Sequence, residues 1–487
     1  MSVAGASGAP VVWALGCSWL LLLLLHASPS SPQKPAKLPL LGRKPFISAW
    51  NAPLDVCASK YNISPDIQHL FHIHGSPRRV HTGQSVTIFY ANRLGRYPYY
   101  TERGAPVQGG LPQNCSLDLH LLQARRDILH FLPARDFRGL AVIDWEYWRP
   151  QWSRNWQRKD VYRRRSRDLV AGAGLNASAE QVEELARQGF EESARAFMQG
   201  TVKLGRSLRP RALWGFYLYP DCHNYHVLRD AGRCPPEESR RNDELRWLWN
   251  SSSALFPSVA IRGSQRNNMA NVRFSNHRVR EALRAAGLTS RDYDLPTYVY
   301  LRLSYRDNAL AFLTNRDLIH TVGESAALGA AGFVIWGDLN LTSSRFNCSK
   351  VTDFVSERLG RYIANVTHAA EVCSDFLCHN NGRCVRREPL GLHFLHLSPR
   401  SFSLLPAPQG GFTAVGRASS RDLALLSKRF HCHCYRGYMG AHCEEGQEEQ
   451  EEQEEVTEEQ SMAPPTGSHL DLTLWLLLFH LALVRTD

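Results

Sequence analysis

The sequence contains one pair of acidic residues whose spacing suits acid and base chemistry. Residues 141–150 read AVIDWEYWRP, so a single tryptophan separates Asp144 from Glu146. Side chains alternate between the two faces of a β-strand, and both carboxyl groups would therefore point to the same side. Buried like charges disfavour each other's ionisation, which would leave one acid protonated and able to act as a general acid. The alternative is a structural ion network with Arg149 or Arg154.

Aromatic residues at the ends of other predicted strands could bind a substrate beside these acids. Tyr90 is near the end of one strand, Tyr217 and Tyr219 lie on one face near the end of another that continues into Asp221, and Trp336 is near the end of a third. The C–H face of a sugar packs on aromatic rings, and paired acids catalyse glycoside hydrolysis. We therefore predict that Tyr90, Tyr217, Asp221 and Trp336 bind substrate. The alternative for each ring taken singly is packing in the core.

Seven apolar runs must position these residues, each ending in polar residues and followed by a stretch with helical character. Nearly continuous apolar strands that alternate with helices indicate a parallel sheet covered on both faces, most simply a barrel. In such barrels the site lies at the C-terminal ends of the strands. Apolar residues at three- and four-residue spacing predict helices over 181–208 and 276–286. The runs begin at Phe46, Val86, Gly139, Ala212, Leu255, Pro296 and Gly332.

Both ends of the chain carry apolar segments that predict export and membrane attachment. The run over 11–25 is typical of a secretory signal peptide, which we assign to residues 1–30. The run over 470–484 follows small residues and is typical of the cleaved signal for a glycolipid (GPI) anchor, assigned to 469–487. A short transmembrane segment is the alternative. We therefore predict a protein of the secretory pathway that is anchored at the cell surface, with secretion or a lysosomal location as alternatives.

The cysteines and the glycosylation motifs agree with this compartment. Twelve cysteines in an exported chain predict disulfides. Because Cys17 lies in the signal peptide, an odd number remains, and Cys115 is the candidate for the unpaired thiol. Glycosylation is predicted at Asn62, Asn176, Asn250, Asn340, Asn347 and Asn365, and Asn114 begins a further N-x-S/T motif.

The composition of the chain changes after residue 365, where cysteines become frequent and an acidic run follows. Cysteine spacing that includes C-x-C-x8-C is typical of an epidermal-growth-factor-like (EGF-like) module, predicted over 366–445 with a long insertion at 385–431. Residues 444–460 hold ten glutamates and no lysine or arginine, so a disordered acidic stalk is predicted over 446–468. The cysteines of the module are Cys373, Cys378, Cys384, Cys432, Cys434 and Cys443.

The net charge of +11 favours an anionic partner. Nucleic acid, an acidic membrane and an acidic polysaccharide all fit the sign of this charge. The only support for nucleic acid is the basic run over 158–167, and in an exported chain a sulfated or uronic polysaccharide is the favoured polyanion.

Several stretches resemble the vertebrate hyaluronidases, glycoside hydrolase family 56. They are WNAP at 50–53, VTIFYANRLGRYPYY at 86–100, GGLPQN at 109–114, AVIDWEYWRPQWSRNWQRKDVYR at 141–163, LWGFYLYPDCHNY at 213–225 and GESAALGAAGFVIWGD at 323–338. The stretches RKPFISAWNAP, DWEYWRPQW and LGRYIANVT look like the lipid-anchored hyaluronidase-4 type in particular. The resemblance covers roughly residues 40–445.

This resemblance implies an α/β fold, a distorted (β/α) TIM-like barrel over 31–365, and hydrolysis of β-1,4 bonds in hyaluronan or chondroitin sulfate with retention of configuration. It implies that Glu146 is the general acid and later the base, that the substrate's own acetamido carbonyl is the nucleophile, and that Asp144 stabilises the acetamido group as it becomes positively charged. Tyr217 would orient that group and Trp336 would pack on the sugar. No metal or other cofactor is implied, and a monomer is expected.

The resemblance also implies five disulfides and reveals one departure, at Ala260. Hyaluronan-degrading members of the family carry a tyrosine there, whereas the hyaluronidase-4 type has a small residue and is associated with chondroitin. We therefore predict a preference for chondroitin; the alternative is a catalytically weak or silent cell-surface receptor for glycosaminoglycans. The implied disulfides join Cys57 with Cys348, Cys222 with Cys234, Cys373 with Cys384, Cys378 with Cys432 and Cys434 with Cys443, which leaves Cys115 unpaired.

Overall fold

The computed structural model describes residues 33–174, 176–225 and 232–446. The predicted signal peptide, the predicted anchor signal and all of the predicted stalk except Gly446 lie outside these residues. Within the described ranges, no helix is both long and apolar enough to cross a bilayer.

The chain is a mixed α/β protein, and the two described sheets with the most strands are parallel. The strands are β1 (Ile47–Asn51), β2 (Ile73–Gly75), β3 (Val86–Tyr90), β4 (Tyr99–Tyr100), β5 (Pro106–Val107), β6 (Leu140–Asp144), β7 (Leu213–Phe216), β8 (Tyr298–Arg302), β9 (Ser304–Tyr305), β10 (Asn308–Phe312), β11 (Gly332–Trp336), β12 (Gly382–Arg386), β13 (Phe402–Pro406), β14 (Phe412–Gly416), β15 (Phe430–Cys434), β16 (Tyr438–Met439) and β17 (Glu445–Gly446).

Two parallel sheets carry the residues predicted to form the site. One has the strand order β2, β1, β11, β8, and the other has the order β3, β6, β7. Isolated parallel bridges connect the segment after residue 254 to both sheets, with Phe256 opposite Tyr217 and Ser258 opposite Tyr300. This segment therefore lies between β7 and β8.

Six of the seven apolar runs contain a strand, and the prediction for the run at Leu255 is wrong. Residues 255–261, all of which the structure describes, form bridges but no regular strand. Pro257 lies in the middle of this run and has no N–H to donate, so the ladder toward β7 cannot continue through it. Its carbonyl still accepts a hydrogen bond from the backbone N–H of Tyr300 at 2.8 Å. The three-residue strand β2 was not predicted.

Both predicted helices are confirmed, with somewhat longer bounds. The first begins at a capping box formed by Ser178 and Gln181, which satisfies two free N–H groups of the first turn. The second buries eleven of its eighteen residues. The α-helices of the described residues are Asp55–Tyr61, Ile67–Leu70, Leu117–Phe131, Asp160–Ala171, Ala179–Leu208, Pro236–Glu244, Arg246–Ser251, Ala270–Gly287, Asn315–Leu318, Glu324–Ala327, Arg345–Asp353, Gly360–Cys378 and Ser420–Arg429.

One apolar cluster takes alternate residues from the parallel strands. Leu140 and Val142 of β6 and Tyr298 and Tyr300 of β8 belong to it, with matching pairs from β1 and β3. Because side chains alternate along a strand, the next residue of each row lies on the same face at the C-terminal end of that strand. For β6 that residue is Asp144.

The five disulfides implied by the resemblance are all present, and among the described cysteines Cys115 is the one that is free. The region predicted as an EGF-like module shares its core with the rest of the protein. Helix Gly360–Cys378 runs without interruption across the predicted boundary at residue 365. Cys378 and Phe430 pack in the same apolar cluster as Phe333 of β11. The insertion at 385–431 contains the antiparallel hairpin β13–β14 and helix Ser420–Arg429.

The six predicted glycosylation sites differ in their exposure. Asn62, Asn176 and Asn340 are exposed, whereas the other three are half-buried. The Asn347 amide nitrogen donates to the backbone carbonyl of Asn340 at 2.8 Å. Glycosylation at all six remains a prediction.

Candidate active site

A cleft of about 240 Å³ opens at the C-terminal ends of the parallel strands. It brings together residues that lie far apart in the sequence. Among the side chains that line it are five of the predicted site residues, namely Asp144, Glu146, Tyr217, Ala260 and Trp336.

The two acids reach the cleft from the end of β6 by the alternation expected of a strand. Asp144 is the last residue of β6. Trp145 points the other way and is buried, with its ring stacked on that of Tyr97 at a centroid distance of 4.5 Å. This packing fixes the backbone on both sides of Trp145, and so directs both carboxyl groups into the cleft.

Asp144 is the acid that keeps its proton. Burial, and next the charge of Glu146, raise the pKa of Asp144 to about 8, although Arg149 opposes the shift. Among the described residues, Asp144 Oδ1 is a buried oxygen without a hydrogen-bond partner. The free site therefore holds a proton at neutral pH, because the effect of burial exceeds the opposing charge of Arg149.

Glu146 is far more exposed, with half of its side-chain surface (51%) accessible. Its carboxylate Oε1 lies 3.8 Å from Arg149 Nη2, a long contact. Arg154 instead pairs with Glu238 at 3.1 Å and with Asp221 at 3.8 Å. The ion-network alternative is therefore wrong for Arg154, and for Arg149 it is reduced to one long contact at the exposed acid.

Trp336 and Tyr90 form a rigid pair beside the acids. The indole Nε1 of Trp336 donates to the hydroxyl of Tyr90 at 2.9 Å. The guanidinium of Arg93 lies over the Tyr90 ring at 4.7 Å, and that of Arg302 lies over the Trp336 ring at 4.9 Å. Burial raises the pKa of Tyr90 to about 12, so its hydroxyl stays neutral.

Tyr217 lies in the cleft, whereas Tyr219 does not. The Tyr217 hydroxyl donates to Ser258 Oγ at 3.4 Å, and its ring meets Tyr300 edge-on at 5.1 Å. Tyr219 is buried in a different apolar cluster. The expectation that the two tyrosines share a face is wrong because Leu218 adopts a φ of +75°, which interrupts the alternation of side chains.

Asp221 anchors a neighbouring arginine and is not among the residues that line the cleft. Its Oδ1 lies 3.0 Å from Arg278 Nη2 and accepts a hydrogen bond from the backbone N–H of His223 at 3.0 Å. Although burial alone would raise the pKa of Asp221, Arg278 and this hydrogen bond hold it below its usual value. Asp221 is thus an ionised partner for Arg278.

Basic residues that were not predicted from the sequence as site residues also line the cleft. Arg278, Arg302 and Arg306 all line it. Arg302 continues the row of Tyr298 and Tyr300 on β8, so alternation along that predicted strand could have found it. Arg278 comes from helix Ala270–Gly287, and Arg306 follows β9; their approach depends on tertiary packing that no local pattern encodes.

Ala260 also lines the cleft. The backbone N–H of Arg306 donates to the carbonyl of Ile261, next to Ala260, at 2.9 Å. The small side chain of Ala260 and the side chain of Arg306 therefore line the cleft from neighbouring segments. Within the described part of the chain, no three acidic, histidine or cysteine side chains are grouped as metal ligands would be.

Three comparisons relate this chain to proteins already known. A family model described as hyaluronidase matches residues 35–447. Hyaluronidase-4 of Homo sapiens is 56% identical over 462 residues, which are 94% of this chain and 94% of the relative. Hyaluronidase PH-20 of Macaca fascicularis is 45% identical over 400 residues, 82% of this chain and 78% of the relative.

Solved structures of a hyaluronidase are also similar to this chain. Bee venom hyaluronidase is 28% identical, with a TM-score of 0.57 over 65% of this chain and 99% of its own. The same enzyme in complex with a hyaluronic acid tetramer has a TM-score of 0.55 at 28% identity, over 64% of this chain and 97% of its own.

Proposed function

The chain belongs to the hyaluronidase family, glycoside hydrolase family 56, and we propose that it is an endo-β-N-acetylhexosaminidase that hydrolyses β-1,4 bonds in hyaluronan, chondroitin or both. The observation that carries this proposal is the acid pair. Asp144, which is half-buried and protonated, lies beside the more exposed Glu146, in a cleft lined by aromatic residues and several arginines. The bee enzyme of the same family has been crystallised with a hyaluronic acid tetramer.

The first step breaks the glycosidic bond. The acetamido carbonyl oxygen of the substrate attacks the anomeric carbon, while the pair's proton passes through Glu146 to the leaving oxygen. Glu146 is the donor because it is the exposed acid and can reach the oxygen between two sugars. Asp144 then carries the negative charge, next to the acetamido group that has become cationic. Attraction between these charges stabilises the intermediate in a site with little water.

The second step restores the enzyme. Glu146, now a carboxylate, accepts a proton from water as the water attacks the anomeric carbon. The bond from that carbon to the acetamido oxygen breaks, and the product retains its configuration. Tyr217 remains neutral, because burial raises the pKa of its hydroxyl, and can donate a hydrogen bond to the acetamido group.

The arginines of the cleft suit a polymer with regularly spaced anionic groups. Arg302 lies over the ring of Trp336, and Arg306 comes from a segment that contacts the residue after Ala260. Cations would therefore lie near the sugars on either side of a sugar that packs on the indole. We propose that the space at Ala260 admits the differently oriented or sulfated hexosamine of chondroitin. A preference for chondroitin over hyaluronan follows.

The proposal is tested with the secreted protein, hyaluronan and chondroitin sulfate. New reducing ends should appear from at least one polymer between about pH 3.5 and about pH 7.5, the range over which the pair holds its proton. Ala260→Tyr should raise the ratio of hyaluronan to chondroitin rates, with Ala58→Tyr, a substitution at an exposed helical position, as the control. Polymer binding without any turnover in the wild type would instead support the silent-receptor alternative.

We further propose that the two parallel sheets close into a distorted (β/α) barrel. The bridges at Phe256 and Ser258 support closure on one side, and the approach of Gly75 to Val86 supports it on the other. The cysteine-rich region would be an EGF-like module, and the protein would be a monomer held at the cell surface by a lipid anchor. Release of the protein from intact cells by a phosphatidylinositol-specific phospholipase tests the anchor.

A further inference from the structure

We infer that Lys159 is a positioning residue that holds the backbone of Glu146 in place for catalysis. This inference rests on the proposed function, because it concerns the acid that donates the proton. It is carried by the contacts of the Lys159 ammonium group and by the lack of sheet support at Glu146.

Glu146 lies beyond the sheet that positions Asp144. Toward β7, the ladder of β6 ends with the hydrogen bond from the backbone N–H of Tyr217 to the carbonyl of Ile143, at 2.9 Å; toward β3, it ends with the pairing of Asp144 and Tyr90. β6 itself ends at Asp144. The peptide groups that follow need other partners, because a backbone carbonyl without one is costly to keep from water.

Two cations supply those partners. Lys159 Nζ donates to the backbone carbonyl of Glu146 and to that of Tyr147, the latter at 3.1 Å. Arg149 Nη1 also donates to the Glu146 carbonyl, at 3.3 Å. Hydrogen bonds from charged donors are stronger than those between neutral groups. The peptide group of the proton donor is therefore held by side chains alone.

Hydrogen bonds of Asn155 restrain the backbone of the segment between Glu146 and Lys159, which keeps Lys159 in a fixed position relative to Glu146. Asn155 is fully buried. Its side chain accepts a hydrogen bond from the backbone N–H of Arg149 at 2.9 Å, and donates to the carbonyl of Arg149 at 2.8 Å and to that of Gln151 at 3.1 Å. Lys159 ends the short turn Gln157–Lys159 and directly precedes helix Asp160–Ala171. A residue anchored to a helix thus restrains the half-exposed acid.

The ammonium group is charged under the conditions in which the enzyme would act. Burial, and next the neighbouring Arg149, lower the pKa of Lys159 to about 8, while Glu146 opposes the shift. Lys159 therefore keeps its charge at acidic and neutral pH.

Loss of this restraint should slow the reaction more than it weakens binding. Catalytic geometry is demanding, and a misplacement of about 1 Å can cost on the order of 100-fold in rate. Lys159 contacts backbone carbonyls and is not among the residues that line the cleft, so substrate affinity should change little.

The experiment compares kcat and KM of the full-length wild type, Lys159→Met, Lys159→Gln and Lys159→Arg on the better polymer substrate. Arg158→Met is the matched control, since Arg158 is an exposed cation on the same turn. We expect Lys159→Met to lose about 30- to 100-fold in kcat with KM within about threefold of the wild type. Lys159→Arg should recover most of that loss, and Arg158→Met should match the wild type. Thermal unfolding of each variant checks folding, and Lys159→Gln replaces Lys159→Met if the latter is not secreted.

The possible results separate the role of Lys159 from the proposed function. A kcat for Lys159→Met within about threefold of the wild type would overturn the inference while leaving the proposed function intact. A raised KM as the variant's only defect would overturn it too, because Lys159 would then bind substrate. A wild type inactive on every polymer would refute the proposed function, and the inference with it.

Discussion

Replacing Asp144 by asparagine should abolish activity and, at the same time, stabilise the folded protein at neutral pH. In the folded state Asp144 keeps its proton up to about pH 8, whereas the ordinary value for its carboxyl group is 3.8. Between these two values the unfolded chain loses a proton that the folded protein retains. Folding stability contributed by this group is therefore present at low pH and is lost as the pH rises through that window. Asparagine does not ionise, so the variant escapes the loss.

The size of the effect follows from the same two values. About three pKa units separate 3.8 from pH 7, and each unit corresponds to about 1.4 kcal/mol, which gives an upper limit of roughly 4 kcal/mol at pH 7. Entry of water and small side-chain movements reduce this figure, so we expect a gain of at least about 1 kcal/mol. At about pH 4 the wild type and the variant should differ by only about 0.5 kcal/mol, because this pH is close to the ordinary value of 3.8 and the unfolded chain is only partly ionised at this position.

Unfolding by guanidinium chloride with the disulfides intact, at about pH 4 and about pH 7, measures this difference. Asp168→Asn is the control, because Asp168 is exposed and makes only a 3.5 Å surface ion pair with Arg165. Its effect should be below about 0.5 kcal/mol at both pH values. A gain for Asp144→Asn that is equal at the two pH values would refute the reasoning, since it would mean that Asp144 is ionised at neutral pH.

Four further predictions follow from the site and its surroundings. Glu146→Gln should lower hydrolysis by about 10³-fold or more while oligosaccharide binding by calorimetry stays within a few-fold, because the change removes the proton and little volume; retained hydrolysis would exclude Glu146 as the donor. Wild-type kcat/KM should fall as the pH rises through about 8, where the acid pair of the free enzyme loses its proton, and a profile flat to about pH 10 would contradict this. Arg386→Ala should cost about 3–5 kcal/mol in chemical unfolding, because it leaves the fully buried Glu324 without its partner, whereas Arg386→Met with Glu324→Leu should cost less. KM for the polymer should rise with salt if the arginines of the cleft attract it, and a KM indifferent to ionic strength would count against that role.

The acid pair and its aromatic neighbours were predictable from sequence because they end strands or follow them within two residues. Alternation along β6 is a local property, so the common direction of Asp144 and Glu146 could be inferred from spacing alone. The same rule failed at Tyr219, where a single residue, Leu218, has a positive φ that the flanking sequence gives no sign of. The prediction of a strand for the run that begins at Leu255 also failed, because Pro257 has no backbone N–H to donate to the neighbouring strand.

The remainder of the site depends on contacts between distant parts of the chain. Arg278 reaches the cleft because a helix packs there and Asp221 holds its guanidinium group. Which of the two acids keeps the proton depends on burial, and a sequence pattern gives no measure of it: the exposed Glu146 and the buried Asp144 are equivalent in the motif. The predicted boundary at residue 365 marked a real change in cysteine content, but the core continues through helix Gly360–Cys378.

The disulfide between Cys57 and Cys348 spans 291 residues and encloses every strand of the two parallel sheets except β1. A protease that cuts one surface loop within this span would leave two polypeptides still covalently joined, with the packed sheets intact. Such a nicked form should migrate as a single species on a gel without reductant and as two fragments after reduction. A single cut by a protease would therefore release neither half of the cleft.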